Sequence, residues 1–376
     1  MHYNKITCEY LIQLIRAVVR DETAPEKPTD VKWQELLNLA IDHKTVGLAY
    51  DAIKQLKTQP QGNESAIWEK EHGKTQIVDL LQKEEANQII NSASKNKLYL
   101  LPLKGYVMKQ MYPKTEYREM GDLDYLVDAS RISEFRPIMK KSGYKEESVG
   151  LDASDDTYQK APYVEVEIHR RLLPPTEENH WFTDDIWERL VPDKENPYLL
   201  HMTWEDFYLF HLLHFEKHYS MGGSGIRSIL DHYYLKKNIG NKLDKDYIKR
   251  NIEKMNYVQF EEMCDGLADV WFGDGKMTKE LEESAEYILN SGAFGTFEQF
   301  QQWSFERYKK EQGIKTKKGY FFRRMFMERE RMEFIYPSIK KHGWLLPFCW
   351  IHRLFKSVFF NWKRVKMELD DFKKKD

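Results

Sequence analysis

The sequence predicts an α+β fold: a small mixed β-sheet core over residues 96–190, flanked by an N-terminal helical region over 1–95 and a C-terminal helical region over 191–376. Three observations carry that expectation. Apolar residues recur at helical spacing up to about Ser94, the period switches to extended at Lys97, and helical periodicity returns from Trp204. A chain of 376 residues is long enough for two or three domains. With 41% hydrophobic and 14% aromatic residues it can bury a core, which excludes disorder of the whole chain. The 58 basic and 60 acidic residues leave a net charge of -2, excluding strong overall basicity but not a local basic face.

The elements follow in order. Thr7 caps a first helix in which Tyr10, Leu11, Leu14, Ile15, Val18 and Val19 share a face, and Asp30 caps a second with Trp33, Leu36, Leu37 and Ala40 inward. The prolines of 21–29 and the polar 58–65 stretch read as connections before a long helix from about Ala66 to Ser94. Leu98 to Leu103 is a short apolar run, read as a buried strand turning at Lys104-Gly105. A short helix over Tyr106 to Met111 is closed by Tyr112-Pro113. Asp122 to Val127 is a second strand, Ile132 to Lys141 a helix, and further extended pieces lie near Tyr158 and over Tyr163 to His169. Beyond them Glu205–Tyr219, Gly225–Asn238, Tyr247–Val270 and Lys279–Leu289 are separate helices, and no fixed-period repeat is evident.

Cys8, Cys264 and Cys349 form neither a CxxC pair nor an even disulfide set, so they read as reduced, packed thiols. The first apolar stretch carries Glu9 and Arg16, unlike a signal peptide. The most membrane-like stretch, Trp344 to Phe360, is broken by Pro347, His352, Arg353 and Lys356 and is too polar to span a bilayer. The expectation is a cytoplasmic protein with no membrane insertion.

Chemistry concentrates in short segments. On a strand, Asp122 and Asp124 project from one face while Leu123 and Tyr125 point to the other. Two like charges held so close call for a cation or a basic partner, although solvated strand ends carry Asp-x-Asp as well. In Tyr163 to His169 the apolar Val164, Val166 and Ile168 alternate with Glu165, Glu167 and His169. Either this is an edge strand with a solvated face, or it lies beside the first strand and Glu167 supplies a third carboxylate to a two-metal site. His169 then orients a ligand or caps the strand. Gly105 lets backbone approach a ligand, and Lys104 and Arg118 can neutralise phosphate oxygens; taken singly they are a turn glycine and surface cations.

Leu103-Lys104-Gly105, Arg118 with Gly121-Asp122-Leu123-Asp124, and Glu165-Val166-Glu167-Ile168-His169, in that order, resemble the poorly characterised bacterial nucleotidyltransferase-like proteins of the polymerase-beta-type superfamily. His43, the Arg227 to Asp231 segment and Trp344-Leu345-Leu346-Pro347 extend the resemblance over most of the chain. It implies a nucleotidyltransferase core in which Asp122, Asp124 and Glu167 are catalytic and bind two Mg2+ ions, or Mn2+, together with a nucleoside triphosphate such as ATP. The resemblance has one departure. Better characterised superfamily members carry Gly-Ser where this chain has Lys104-Gly105, so either Lys104 replaces the serine's phosphate contact or catalysis has been lost.

Three further segments have double readings. His211, His214 and His218 share a helical face suited to zinc or to packing. Gly222 to Gly225 precedes a helix whose amides, with Arg227, could receive an anion, unless Arg227 merely pairs with Asp231 four residues on. Lys309 to Arg324 mixes Lys310, Lys315, Lys317, Lys318 and Arg323 with Tyr320, Phe321 and Phe322, either an RNA-contacting or a solvated surface. The expected function is transfer of a nucleoside monophosphate from a triphosphate to a hydroxyl, with Lys104, Gly105, Arg118 and Arg227 binding the nucleotide. The acceptor is a small molecule or a protein ahead of RNA, on the charge balance. The alternative is a catalytically silent protein of the same fold that binds a nucleotide, RNA or a protein.

Overall fold

The computed structural model describes residues 3–149, 155–173, 179–312, 316–329, 332–333, 336, 338–360 and 366, in two compact units, Met1–Phe297 and Glu298–Asp376. The first unit opens with α1 (Lys5–Arg20), capped by Asn4 and not by Thr7: the Asn4 Oδ1 accepts the Ile6 N–H at 3.1 Å. An asparagine at an extended position reaches back to an orphan amide of the first turn, so the helix starts before the threonine. α2 (Trp33–Asp42) begins after Lys32, past Asp30, and a short α3 (Val46–Ile53) leads to the 33-residue α4 (Asn63–Lys95).

The sheet takes β1 (Leu100–Pro102), β2 (Asp122–Val127), β3 (Lys145–Ser148), β4 (Asp155–Lys160) and β5 (Val164–His169) in the order β1-β2-β5-β4-β3. β2 and β5 run parallel and the other neighbours antiparallel, which makes the sheet mixed. A parallel pair needs a crossover, supplied by α6 (Phe135–Lys141) and the β3–β4 hairpin, while α5 (Lys104–Met108) follows β1. β3 escapes a periodicity reading because its four residues are all exposed at the sheet edge, with no apolar alternation.

One face of the sheet is apolar. Leu123, Tyr125 and Val127 of β2 and Val164, Val166 and Ile168 of β5 pack with Ile89 and Ile90 of α4 and with Phe135 and Met139 of α6. Each such side chain contributes roughly 1.5–3 kcal/mol when fully buried. The opposite face changes character along its length. At the far end Leu101 and Leu126 join a second core made by α1, α2, α3 and the later helices, and at the near end the face is acidic.

Those later helices are α7 (His180–Asp184), α8 (Ile186–Arg189), α9 (Trp204–Gly222), α10 (Ile226–Ile239), α11 (Lys245–Met255), α12 (Val258–Phe272) and α13 (Lys279–Ser291), with a two-stranded ribbon of Val191–Pro192 and Leu200–His201 before α9. The continuous helix expected over 247–270 is two helices. Asn256 takes the left-handed conformation at φ 59°, and the N–H groups of Asn256 and Tyr257 close on the carbonyls of Glu253 and Ile252. Asparagine tolerates that conformation and ends a helix much as glycine does.

The second unit is helical over Lys317–Met325, Ser338–Lys341 and Leu346–Phe360, where the Trp350 indole donates to the Met327 carbonyl at 2.9 Å. Lys315 of the basic stretch lies outside the described residues. Among the described residues no helix is long and apolar enough to cross a membrane.

Candidate active site

The parallel register of β2 and β5 sets Asp122 beside Glu165 and Asp124 beside Glu167. The antiparallel register of β4 adds Thr157 beside Glu167 and Asp155 beside His169. Alternation then puts every one of these side chains on the acidic face. The Asp124 Oδ1 accepts from both Lys104 Nζ and His169 Nε2 at 2.7 Å, and His169 Nε2 lies 3.4 Å from a Glu167 oxygen. Donor atoms of Asp124, Glu167 and His169 all fall within 4.8 Å of one another.

Burial raises the Asp124 carboxyl, but the Lys104 ammonium and the His169 imidazole outweigh it and hold the group well below the carboxylate range. Asp122 moves the other way, raised by burial and by the neighbouring Asp124. Glu167 is pushed up to about 7 by burial and by the two aspartates. The face thus gathers more negative charge than its own cations offset, and two carboxylates with one imidazole suit a hard or borderline divalent ion such as Mg2+ or Mn2+.

Lys104 takes a left-handed φ of 44°, uncommon for a residue with a side chain, and this turn aims its ammonium at Asp124. Gly105 is needed for space. A Cβ there would sit 2.4 Å from the Met120 sulfur and 2.5 Å from Arg118 Nη1. Arg118 is buried and spends its Nε and Nη2 on Asp231, at 3.1 and 2.8 Å, which also accepts from the Tyr112 hydroxyl at 2.6 Å. Asp231 therefore pairs with Arg118 and not with Arg227. Arg227 donates to the Glu119 carbonyl at 2.8 Å, and burial and Arg118 bring its pKa down to about 10. A cavity of about 200 Å3 beside this cluster is lined by Lys44, Lys74, Lys109, Arg118, Glu119 and Met120 among others.

The first amide of α10, read from the glycine turn as an anion receptor, is filled from within: the Ile226 N–H donates to His43 Nδ1 at 3.1 Å. The α9 histidines pair locally. His214 and His218 meet through their Nε2 atoms at 3.0 Å, while His211 stacks on His232 with ring centroids 5.6 Å apart. Lys217 is the functional candidate that sequence reading passed over. Its pKa is lowered by burial and by Lys104, and it lies in the field of Asp155, Glu167 and Asp124. The signal was its place three residues after His214, on a helix that had no visible partner in the sequence.

The family model described as uncharacterised nucleotidyltransferase matches residues 29–273, more than half of the chain. The chain belongs to this nucleotidyltransferase family. The matched span runs from before α2 to the end of α12 and contains every residue of the acidic face. The fold is accordingly an α+β nucleotidyltransferase fold with helical regions on both sides of the sheet. Among solved structures, that of the antibiotic-resistance factor ANT(2'')-Ia is similar at 10% identity and a TM-score of 0.35, over 49% of this chain and 98% of that one. No curated protein matches the chain.

Proposed function

We propose that the protein transfers a nucleoside monophosphate from a nucleoside triphosphate to a hydroxyl acceptor. The observation that carries this reading is the parallel register that brings Asp122 and Asp124 beside Glu165 and Glu167, with Lys104 paired to Asp124. The acceptor oxygen bonds to the α-phosphorus, the bond to the bridging oxygen of the β-phosphate breaks, and pyrophosphate departs. Glu167, beside Asp124 in the strand register, completes the site and assists removal of the hydroxyl proton. Asp122, Asp124 and Glu167 are the residues that would hold two divalent ions, Mg2+ or Mn2+. Such ions, when bound, neutralise triphosphate oxygens and acidify the hydroxyl.

Lys104 exchanges Asp124 for a phosphate oxygen and so takes over the task of the missing serine hydroxyl. Arg227 adds charge at the start of β2, and Gly105 keeps room for Arg118 Nη1 against the phosphate-binding turn. The acceptor is a small molecule or a protein ahead of RNA, because the chain has a net charge of -2 and RNA affinity rests on accumulated positive charge. Free Cys8, Cys264 and Cys349 support a reducing compartment such as the cytoplasm.

Incubation with each labelled triphosphate, Mg2+ or Mn2+ and candidate acceptors tests the reading. Label transfer that survives Asp122→Ala and Asp124→Ala refutes it. One observation favours a second reading, a silent nucleotide-binding protein: the Lys104 ammonium already rests on Asp124, where a cation would bind. Calorimetry separates the two, since nucleotide binding that needs no metal and ignores Asp124→Ala belongs to the silent protein.

A further inference from the structure

The turn between α13 and the second unit holds an aromatic ring in water. Phe294 is 69% exposed, yet the backbone that carries it is fixed on both sides. The Ala293 N–H donates to the Asp42 carbonyl at 2.7 Å and the Thr296 N–H to the Gly222 carbonyl at 2.9 Å. Gly292 and Gly295 take φ of 66° and 73°, and a Cβ on Gly295 would lie 2.0 Å from the Gly222 oxygen. A Cβ on Gly225 would lie 2.8 Å from the Ala293 nitrogen. The glycines therefore seat this turn against the end of α2 and the α9–α10 junction, where no side chain fits. A phenyl ring on so fixed a backbone is presented to solvent, not left over by a loose loop.

Its neighbours specify a ligand. Lys44 Nζ is 5.7 Å and the Arg227 guanidinium carbon 5.6 Å from the ring centroid. The ring's Cζ is 3.7 Å from where a Cβ on Gly121 would stand, and Gly121 immediately precedes Asp122. Both cations lie over the ring, which is still 69% exposed and one residue from the acidic pair. A flat heteroaromatic with phosphates attached and hydrogen-bond acceptors on its edge fits this place by taking the ring face while the two cations move to that edge. Purines offer N7, and guanine O6 as well, to such donors, together with a larger stacking surface than pyrimidines.

We propose that Phe294 is the stacking platform for the purine base of the nucleoside triphosphate, with Lys44 and Arg227 donating to the base's acceptor edge; this rests on the transfer reading above. The base then lies outside the start of β2 while the phosphates run inward over Asp122 and Asp124.

Calorimetry on the full chain with Mg2+ and no acceptor tests this, titrating ATP, GTP, CTP and inorganic tripolyphosphate into wild type, Phe294→Leu and Phe294→Trp. Loss of the stacking face in Phe294→Leu is expected to raise the Kd for ATP and GTP about 5- to 100-fold. Tripolyphosphate affinity stays within about twofold, and Phe294→Trp binds the purine triphosphates as wild type does. Wild-type affinity of Phe294→Leu for ATP and GTP overturns the platform, and so does an equal loss on tripolyphosphate, which would make the ring a prop for the phosphate site or a surface for a protein partner. Wild-type protein that binds ATP and GTP no tighter than CTP or tripolyphosphate overturns the platform and leaves the transfer reading standing. Protein that binds none of the four ligands overturns both.

Discussion

Asp231 is a buried carboxylate that receives three donors, two of them from one guanidinium. Breaking such a pair strands a charge, so Arg118→Met is expected to destabilise by about 3–5 kcal/mol in urea unfolding. Adding Asp231→Leu should recover most of that loss, because the stranded charge goes with it; a double variant as weak as the single one would show that the pair does not act as a unit. Gly105→Ala tests the same cluster from the other side. A methyl group 2.5 Å from Arg118 Nη1 and 2.4 Å from the Met120 sulfur has to displace one of them, at a stability loss of about 1–3 kcal/mol. An unchanged melting temperature would contradict the close packing. On the proposed transfer reading, Asp122→Asn and Asp124→Asn are each expected to lower transfer rates about 1000-fold while the protein stays folded by circular dichroism, since the charge stabilisation that bound metal would supply is worth several kcal/mol.

At the scale of elements, the strands of the site were legible because their chemistry follows a strict period of two: Asp122-x-Asp124 and Glu165-x-Glu167-x-His169 place five ionisable groups on one face whatever the partner strand. That the two strands are parallel neighbours was not legible, because register depends on the crossover between them, and β3 within that crossover has no apolar signal. The partners of Arg118 and the first amide of α10 were hidden for the same reason: Asp231 is 113 residues from Arg118, and His43 is 183 residues from Ile226. His43 ties three helices, accepting from Ile226 at the start of α10 and donating from Nε2 to the Leu289 carbonyl of α13 at 3.2 Å. Burial lowers its pKa to about 4, so the folded protein keeps it neutral where the unfolded chain protonates it below about pH 6.5. Its stabilising contribution is complete above pH 6.5 and drains away as pH falls towards 4, with a slope of about 1.4 kcal/mol per pH unit for one proton. His43→Asn keeps an acceptor for Ile226 and should flatten that slope by one proton in urea midpoints taken across the window. At Gly73, inside α4, a Cβ would meet nothing within 4 Å among the described residues, so Gly73→Ala is expected to stabilise the helix by about 0.5–1 kcal/mol.

For the molecule as a whole, both apolar clusters draw their described residues from Met1–Phe297. A chain ending at Phe297 is accordingly expected to melt cooperatively in far-ultraviolet dichroism; a broad, uncooperative melt would show that the first unit needs the second. Within the first unit the 33-residue α4 has an unusual position. It is about 50 Å long, contributes Trp68 near its start to the helical core, and contributes Ala86, Ile89, Ile90 and Ala93 near its end to the core beneath the sheet. One unbroken ladder of backbone bonds thereby belongs to two interiors at once, and neither interior can open without unthreading the rod they share. Deuterium uptake should then rise together in β2 and in α1 when Trp68 is cut back to alanine, although Trp68 is a member of only one of the two cores.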